Sequence, residues 1–355
     1  MEGLSSGQAS SVSFSLENES LDDFRYEIRL GETDLLNERS KHNHHMDVVV
    51  LSEGRPSVTP SRNEHTIAVS CEVRGQGYWS GRDVCVMMNP APAGTGICLI
   101  RTDLESAPRC QATVANRHDA NLRTNLQNGE ARFEMVEHLM AAFVGLEIDN
   151  CYVEIDAEEL PGLDGSSAAY VESLRHAGLI IQSPAKRRLV VRERLYASAG
   201  TSWIEITPSP DGAVSYEYRL SFDDQTPIPP QSFSLRMSPH RFIREVAPAR
   251  TFVTEEQAMT LRSQGIASHV TNQDLLIVGK NGPIENSYRY PEECARHKLL
   301  DLIGDLALTN VEVVGNIVSY RGGHSLNGRM AQQIADLAAA QIPLTVSADT
   351  LRKAA

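Results

Sequence analysis

The chain has 355 residues and is 41% hydrophobic, with a mean hydropathy of -0.28, which excludes a fibrous protein and gives enough length for two domains. Its net charge of -13 argues against nucleic acid or an anionic membrane as a partner held by charge, while leaving room for a local basic pocket. No stretch reaches the roughly 18 apolar residues of a membrane span, and the first twenty residues lack a basic segment followed by an apolar run, so no secretory leader is expected.

Residues 1–63 are rich in Ser, Glu, Asp and Asn, and read as a flexible N-terminal extension with one apolar run, "MDVVVL" at 46–51. Its histidines His42, His44 and His45 are read as solvated rather than metal-bound. From 64 the texture changes. "HTIAVSCEV" and "RDVCVMMNPA" read as strands around the turn-rich "RGQGYWSG", and "TGICLIRTDL" as a further strand. A helix is expected over 133–146, a strand at "NCYVEIDA", a loop at "LPGLDGSS", and an amphipathic helix over 168–179 stopped by Gly178. "SPAKRR" reads as a linker.

The second half repeats the scheme. "RRLVVRERLYAS", "SWIEITPSP" and "VSYEYRLSF" are expected strands, "PIPPQSF" a loop broken by proline, 255–265 a short helix and "DLLIVG" a strand. Then come a helix at "RHKLLDLIGDLALTN" (296–310), a strand at "VEVVGNIVSYRGGH" and a last helix over 327–342. The expected fold is α+β, with two similar domains at 64–183 and 187–355. The six cysteines are scattered without a CxxC pair, as reduced thiols in a cytoplasm would be.

The helix at 296–310 is apolar except for a line of His297, Asp301 and Asp305 at steps of four, which share one face. His297 and Asp301 supply two metal-ligand types at the i, i+4 spacing that also serves HExxH zinc sites. Taken alone, this spacing is a weak signal that a capped or salt-bridged helix with a buried polar network also explains. "VEHLMAAF" adds Glu137 and His138 inside an apolar run, where burying them without a purpose is costly. His138 suits a third ligand, and Glu137 a base toward metal-bound water. In "YRGGHSLN" two glycines bring backbone close to a ligand and aim His324 from a loop, with Asp305 placed to hold a histidine charged. Thr251 in "PARTF" is placed to donate to a developing oxyanion.

Five segments in order, "VEHLMAAF", "LDGSSAAY", "ARTF", "RHKLLDLIGDL" and "GGHSLN", together with "GQGYWSG…MNPAPAGTGICLIRTDL", resemble the zinc-dependent UDP-3-O-acyl-N-acetylglucosamine deacetylases of lipid A biosynthesis. The resemblance spans about 64–342. It implies removal of acetate from the UDP-linked acylated amino sugar as the committed step of that pathway, in a cytoplasmic enzyme, monomeric and without a transmembrane segment. It implies Zn2+ held by His138, His297 and Asp301, with Glu137 as general base and His324 as general acid. Asp305 is implied to orient His324, and Thr251 to donate to the oxyanion. Lys298, Phe252, Arg321 and Gly323 are implied substrate contacts. It also implies helices packed between two sheets and a small insert in each domain, the second (about 252–277) forming an apolar passage for the acyl chain. Two departures stand out. Trp79 occupies the place usually held by histidine, and His269 and Val270 stand where relatives often carry a glycine pair. Two other readings stay open on the residues alone: a catalytically idle relative that senses a UDP-sugar, and a structural protein with buried ion pairs.

Overall fold

The computed structural model describes residues 57–58, 62–222 and 226–340. Most of the expected extension, including its three histidines and the 46–51 run, lies outside the described residues. Ser57 and Val58 pair with Val190 and Leu189, and the Arg62 guanidinium holds the Asp149 carboxylate at 2.6 and 3.0 Å.

Each half is built on a five-stranded mixed sheet. In the first the spatial order is Cys71–Gln76, Asp83–Pro90, Cys151–Ile155, Ile97–Arg101, Arg109–Gln111. In the second it is Leu195–Ala199, Ser202–Thr207, Asn316–Tyr320, Ser215–Leu220, Gln231–Arg236. Numbered along the chain, both sheets therefore run 1-2-5-3-4. In both, the last strand enters the middle, antiparallel to strand 2 and parallel to strand 3. The inserted strand is flanked by helices: α1 (Glu137–Gly145) and α2 (Ala168–Ala177) in the first half, then, after α3 (Pro239–Glu245) and α4 (Glu255–Ser263), α5 (Glu293–Ala307) and α6 (His324–Ala340) in the second. The repeat of expected elements is thus a repeat of topology. The two inserts are also present: a three-stranded sheet of Arg117–His118, Asn125–Asn128 and Ala131–Glu134 in the first half, and α4 with strands Phe252–Thr254, Leu276–Gly279 and Gly282–Pro283 in the second.

The helices are sandwiched between the sheets, and α1 and α5 meet along their lengths at the centre. That is why α1 has no polar face: every residue in it but Val144 is buried. On α5, Leu299, Leu300, Leu302 and Ile303 are fully buried, where truncation of one such leucine to alanine costs about 2–5 kcal/mol. The two backbones approach so closely that a Cβ on Gly304 would lie 2.1 Å from the Glu137 carbonyl oxygen.

Some local expectations are corrected. α1 begins at Glu137, not at 133, because Ala131–Glu134 closes a hairpin with Asn125–Asn128 and Met135, at φ 61°, turns the chain into the helix. Leu179–Ala185 is a strand against Asn63–Ile67, where the pattern suggested a helix end and a linker. Gln231–Arg236 is an edge strand directly after the prolines of the expected loop, the place in a sheet that proline tolerates. α3 was not anticipated, although Ser238 caps it by accepting from the Arg241 N–H and Pro239 occupies its first turn.

Candidate active site

The stripe on α5 and the polar pair on α1 face each other where the two helices cross. The Asp301 Oδ1 atom lies 3.4 Å from His297 Nε2 and 3.7 Å from His138 Nε2. The three possible ligand atoms lie within 4.8 Å of one another, and all three residues are buried. The two imidazoles meet edge to face, 5.1 Å between centroids. His297 Nδ1 donates to the Ala249 carbonyl at 3.1 Å, which leaves the Nε2 lone pair directed at the cluster.

Protonation favours ligation. Burial drives the His297 pKa down to about 3, so the ring is neutral. Burial works against the Asp301 charge, but the Lys298 ammonium and, after it, the charged His324 hold the carboxyl well below the usual range. Lys298 Nζ donates to Asp301 Oδ2 at 2.7 Å. Asp301 Oδ1 is buried and has no hydrogen-bond partner, which is costly for a carboxylate oxygen. The His138 and His297 imidazoles and an orphaned carboxylate oxygen converging on one point fit a divalent metal, and a three-residue donor set leaves a position open for water.

Around this centre stand the proton-handling groups. Glu137, the first residue of α1, is buried, and burial raises its pKa. Its Oε2 accepts from the Thr124 backbone N–H at 3.0 Å. His324, the first residue of α6, places Nε2 at 3.8 Å from Asp301 Oδ2 and Nδ1 at 2.9 Å from Asp305 Oδ2. Burial lowers its pKa, but the Asp305 carboxylate, joined by Asp301, outweighs burial and lifts it to about 9. Asp305 is fully buried behind the imidazole. It accepts from Asn327 Nδ2 at 2.9 Å and from the Thr124 hydroxyl at 2.5 Å.

A cleft of about 980 Å3 opens over the cluster. It is lined by every anticipated site residue except Asp305, Thr251, Phe252, Lys298, Arg321 and Gly323 included. The Phe252 ring packs edge-on against His297, 6.2 Å between centroids. Leu122, Phe222, Ile228, Leu261 and Val270 make much of the wall apolar. Val270 is buried and faces this cleft. Trp79 also lines it, with the Arg123 guanidinium 4.5 Å above its ring.

Sequence reasoning passed over Thr124, which touches both the Glu137 and the Asp305–His324 groups. It also passed over the Ala249 carbonyl that orients His297. Neither sits in a periodic segment, and a backbone carbonyl leaves no mark in residue identity.

Comparison with known proteins agrees with the geometry. A family profile described as LpxC, UDP-3-O-acyl N-acetylglycosamine deacetylase, matches residues 64–336. The UDP-3-O-acyl-N-acetylglucosamine deacetylase of Citrifermentans bemidjiense is 34% identical over 275 residues, covering 76% of this chain and 88% of that protein. Those of Anaeromyxobacter dehalogenans and Myxococcus xanthus are 36% and 34% identical, covering 79% of this chain in each case and 91% and 88% of the relatives.

Proposed function

This chain belongs to the UDP-3-O-acyl N-acetylglycosamine deacetylase family, and from that premise we propose how its own residues carry the reaction. The enzyme is a hydrolase of lipid A biosynthesis that removes the acetyl group of UDP-3-O-acyl-N-acetylglucosamine. The metal is zinc, held by His138, His297 and Asp301. The observation that carries this reading is the buried Asp301 Oδ1 without a donor, facing both Nε2 atoms. When bound, the ion supplies Lewis acidity, lowering the pKa of water and polarising the amide carbonyl.

Glu137 takes the proton from the attacking water. Its carboxylate is kept in place by the Thr124 N–H, and a raised pKa matches a base to neutral pH. Thr251 donates to the oxygen that gains charge as the acetamide carbon becomes tetrahedral. His324 is protonated at neutral pH because Asp305, joined by Asp301, lifts its pKa to about 9, and it gives that proton to the departing amine as the C–N bond breaks. Asp305 orients it through Nδ1, so Nε2 is the donating atom. Lys298, Arg321 and Gly323 contact the nucleotide-sugar side, and Phe252 contacts the substrate while bracing His297. The apolar wall receives the acyl chain.

We take 64–183 and 187–355 as the two domains, a division supported by the repeated strand order, with 1–63 as an extension. The enzyme is read as a cytoplasmic monomer: its described cysteines are all free, and one chain carries the whole residue set. Among the described residues no helix is long and apolar enough to cross a membrane.

The test is metal removal. Chelation should abolish release of acetate from UDP-3-O-acyl-N-acetylglucosamine, and one equivalent of zinc per chain should restore it. Full activity in protein shown by elemental analysis to be metal-free would sink the reading.

A further inference from the structure

Thr124 touches both proton-handling groups. Its backbone N–H donates to Glu137 Oε2 at 3.0 Å. Its hydroxyl donates to Asp305 Oδ1 at 2.5 Å and lies 3.2 Å from His324 Nδ1. The residue is fully buried.

The chain places it there by a short hairpin. Asn125–Asn128 leaves Thr124 and returns as Ala131–Glu134, with Asn125 opposite Glu134. The next residues enter α1, and the Val136 N–H closes the loop onto the Thr124 carbonyl at 3.2 Å. Thr124 therefore sits beside the start of α1 in the first half, and from there its side chain reaches α5 and the start of α6 in the second.

We propose that Thr124 is a positioning residue of the deacetylation, a crossbar that fixes the base Glu137 and the acid His324 relative to each other. This rests on the roles given to those two residues above. The division of labour follows from the atoms. The N–H holds one oxygen of Glu137 and leaves the other for the proton of water. The hydroxyl saturates Asp305 Oδ1, so that Oδ2 is the oxygen that meets His324 Nδ1. With Nδ1–H engaged by Asp305 and the threonine oxygen, the tautomer and ring orientation of His324 are set and Nε2 faces the cleft. Side chain and backbone act on different groups, so they separate experimentally: valine removes the hydroxyl and retains the N–H.

The experiment uses the full-length, zinc-loaded enzyme with UDP-3-O-acyl-N-acetylglucosamine. Thr124→Val should lower kcat by about tenfold or more, a loss of alignment, with KM and zinc content unchanged. Thr124→Ser should recover most of the rate. In an Asp305→Asn background, Thr124→Val should cost less than about twofold further, because both changes act through the same imidazole. If the valine variant does not fold, Thr124→Cys, of similar volume with a weaker donor, replaces it. A wild-type kcat in the hydroxyl-less variant, equal losses in the valine and serine variants, or losses that multiply with Asp305→Asn would overturn the proposal. His324→Ala run in parallel separates the two levels. If it keeps full kcat, the acid assignment itself fails. If it is inactive while Thr124→Val is silent, only the role of Thr124 fails.

Discussion

At the residue scale, three side chains on one helix face do two different things. His297 and Asp301 point at the centre where α1 crosses α5, while Asp305, one turn on, passes behind it to hold His324. We predict that His297→Ala lowers zinc content and activity together, since two remaining donors leave a site without its third; an inactive variant with full zinc by elemental analysis would show that the ligand set is wrong. The proton groups predict a bell-shaped pH profile of kcat/KM. Glu137 must be ionised, so activity rises with pH through its pKa, and burial puts that limb above the usual carboxylate range. His324 must be protonated, so activity falls as pH rises through about 9. Glu137→Ala should remove the acid limb and His324→Ala the basic limb, each with a loss of about 10²–10⁴ in rate and with zinc retained. An unchanged bell in either variant contradicts the role assigned to it.

At the scale of elements, the machinery depends on how closely two helices meet. Gly304 of α5 faces the backbone of Glu137, and an added Cβ would fall 2.1 Å from that carbonyl oxygen. The clash is with backbone, so one helix must move. We predict that Gly304→Ala costs about 1–3 kcal/mol, as overpacking does, and lowers kcat beyond what the melt explains, because α1 carries Glu137 and His138. Urea titration and turnover on the same samples decide it; a variant with wild-type stability and rate would mean that the interface relaxes freely. The sequence made α5 legible, because its polar stripe interrupts a continuous apolar run. It also made the strands Ser202–Thr207 and Ser215–Leu220 and the last helix legible in the second half, but not α3 or the strand Gln231–Arg236. It did not show that the last strand of each half enters the middle of its sheet, since strand order is set by pairing across long separations rather than by local pattern. Gln231–Arg236 was hidden by the prolines before it, and Leu179–Ala185 by its exposed face, where three residues at the start leave no buried alternation to read. Thr124 was illegible for a related reason: its partners lie 13, 181 and 200 residues away.

At the scale of the whole molecule, the cleft lies between the halves, and the second insert closes part of it. His269 Nε2 lies 2.9 Å from the Gly77 carbonyl, and the Tyr78 hydroxyl donates to the Asp274 carbonyl at 2.5 Å. These bonds tie the 264–275 loop to the first-half turn that carries Trp79. They hold Val270 with its side chain in the cleft wall, so the departure from a glycine pair places bulk where the acyl chain is proposed to run. A buried methylene is worth about 0.8 kcal/mol, or near fourfold in affinity, so an open passage would gain steadily with chain length. A passage narrowed at Val270 should gain up to some length and then lose as further methylenes overpack. We predict such a break in 1/KM across an acyl series. Val270→Gly should move it to longer chains and Val270→Ala should move it less, both with zinc content and the rate on the shortest substrate unchanged. If both variants follow the wild type along the whole series, the acyl chain leaves the cleft by another wall. The metal and proton assignments would be untouched by that result, because none of their atoms depends on residue 270.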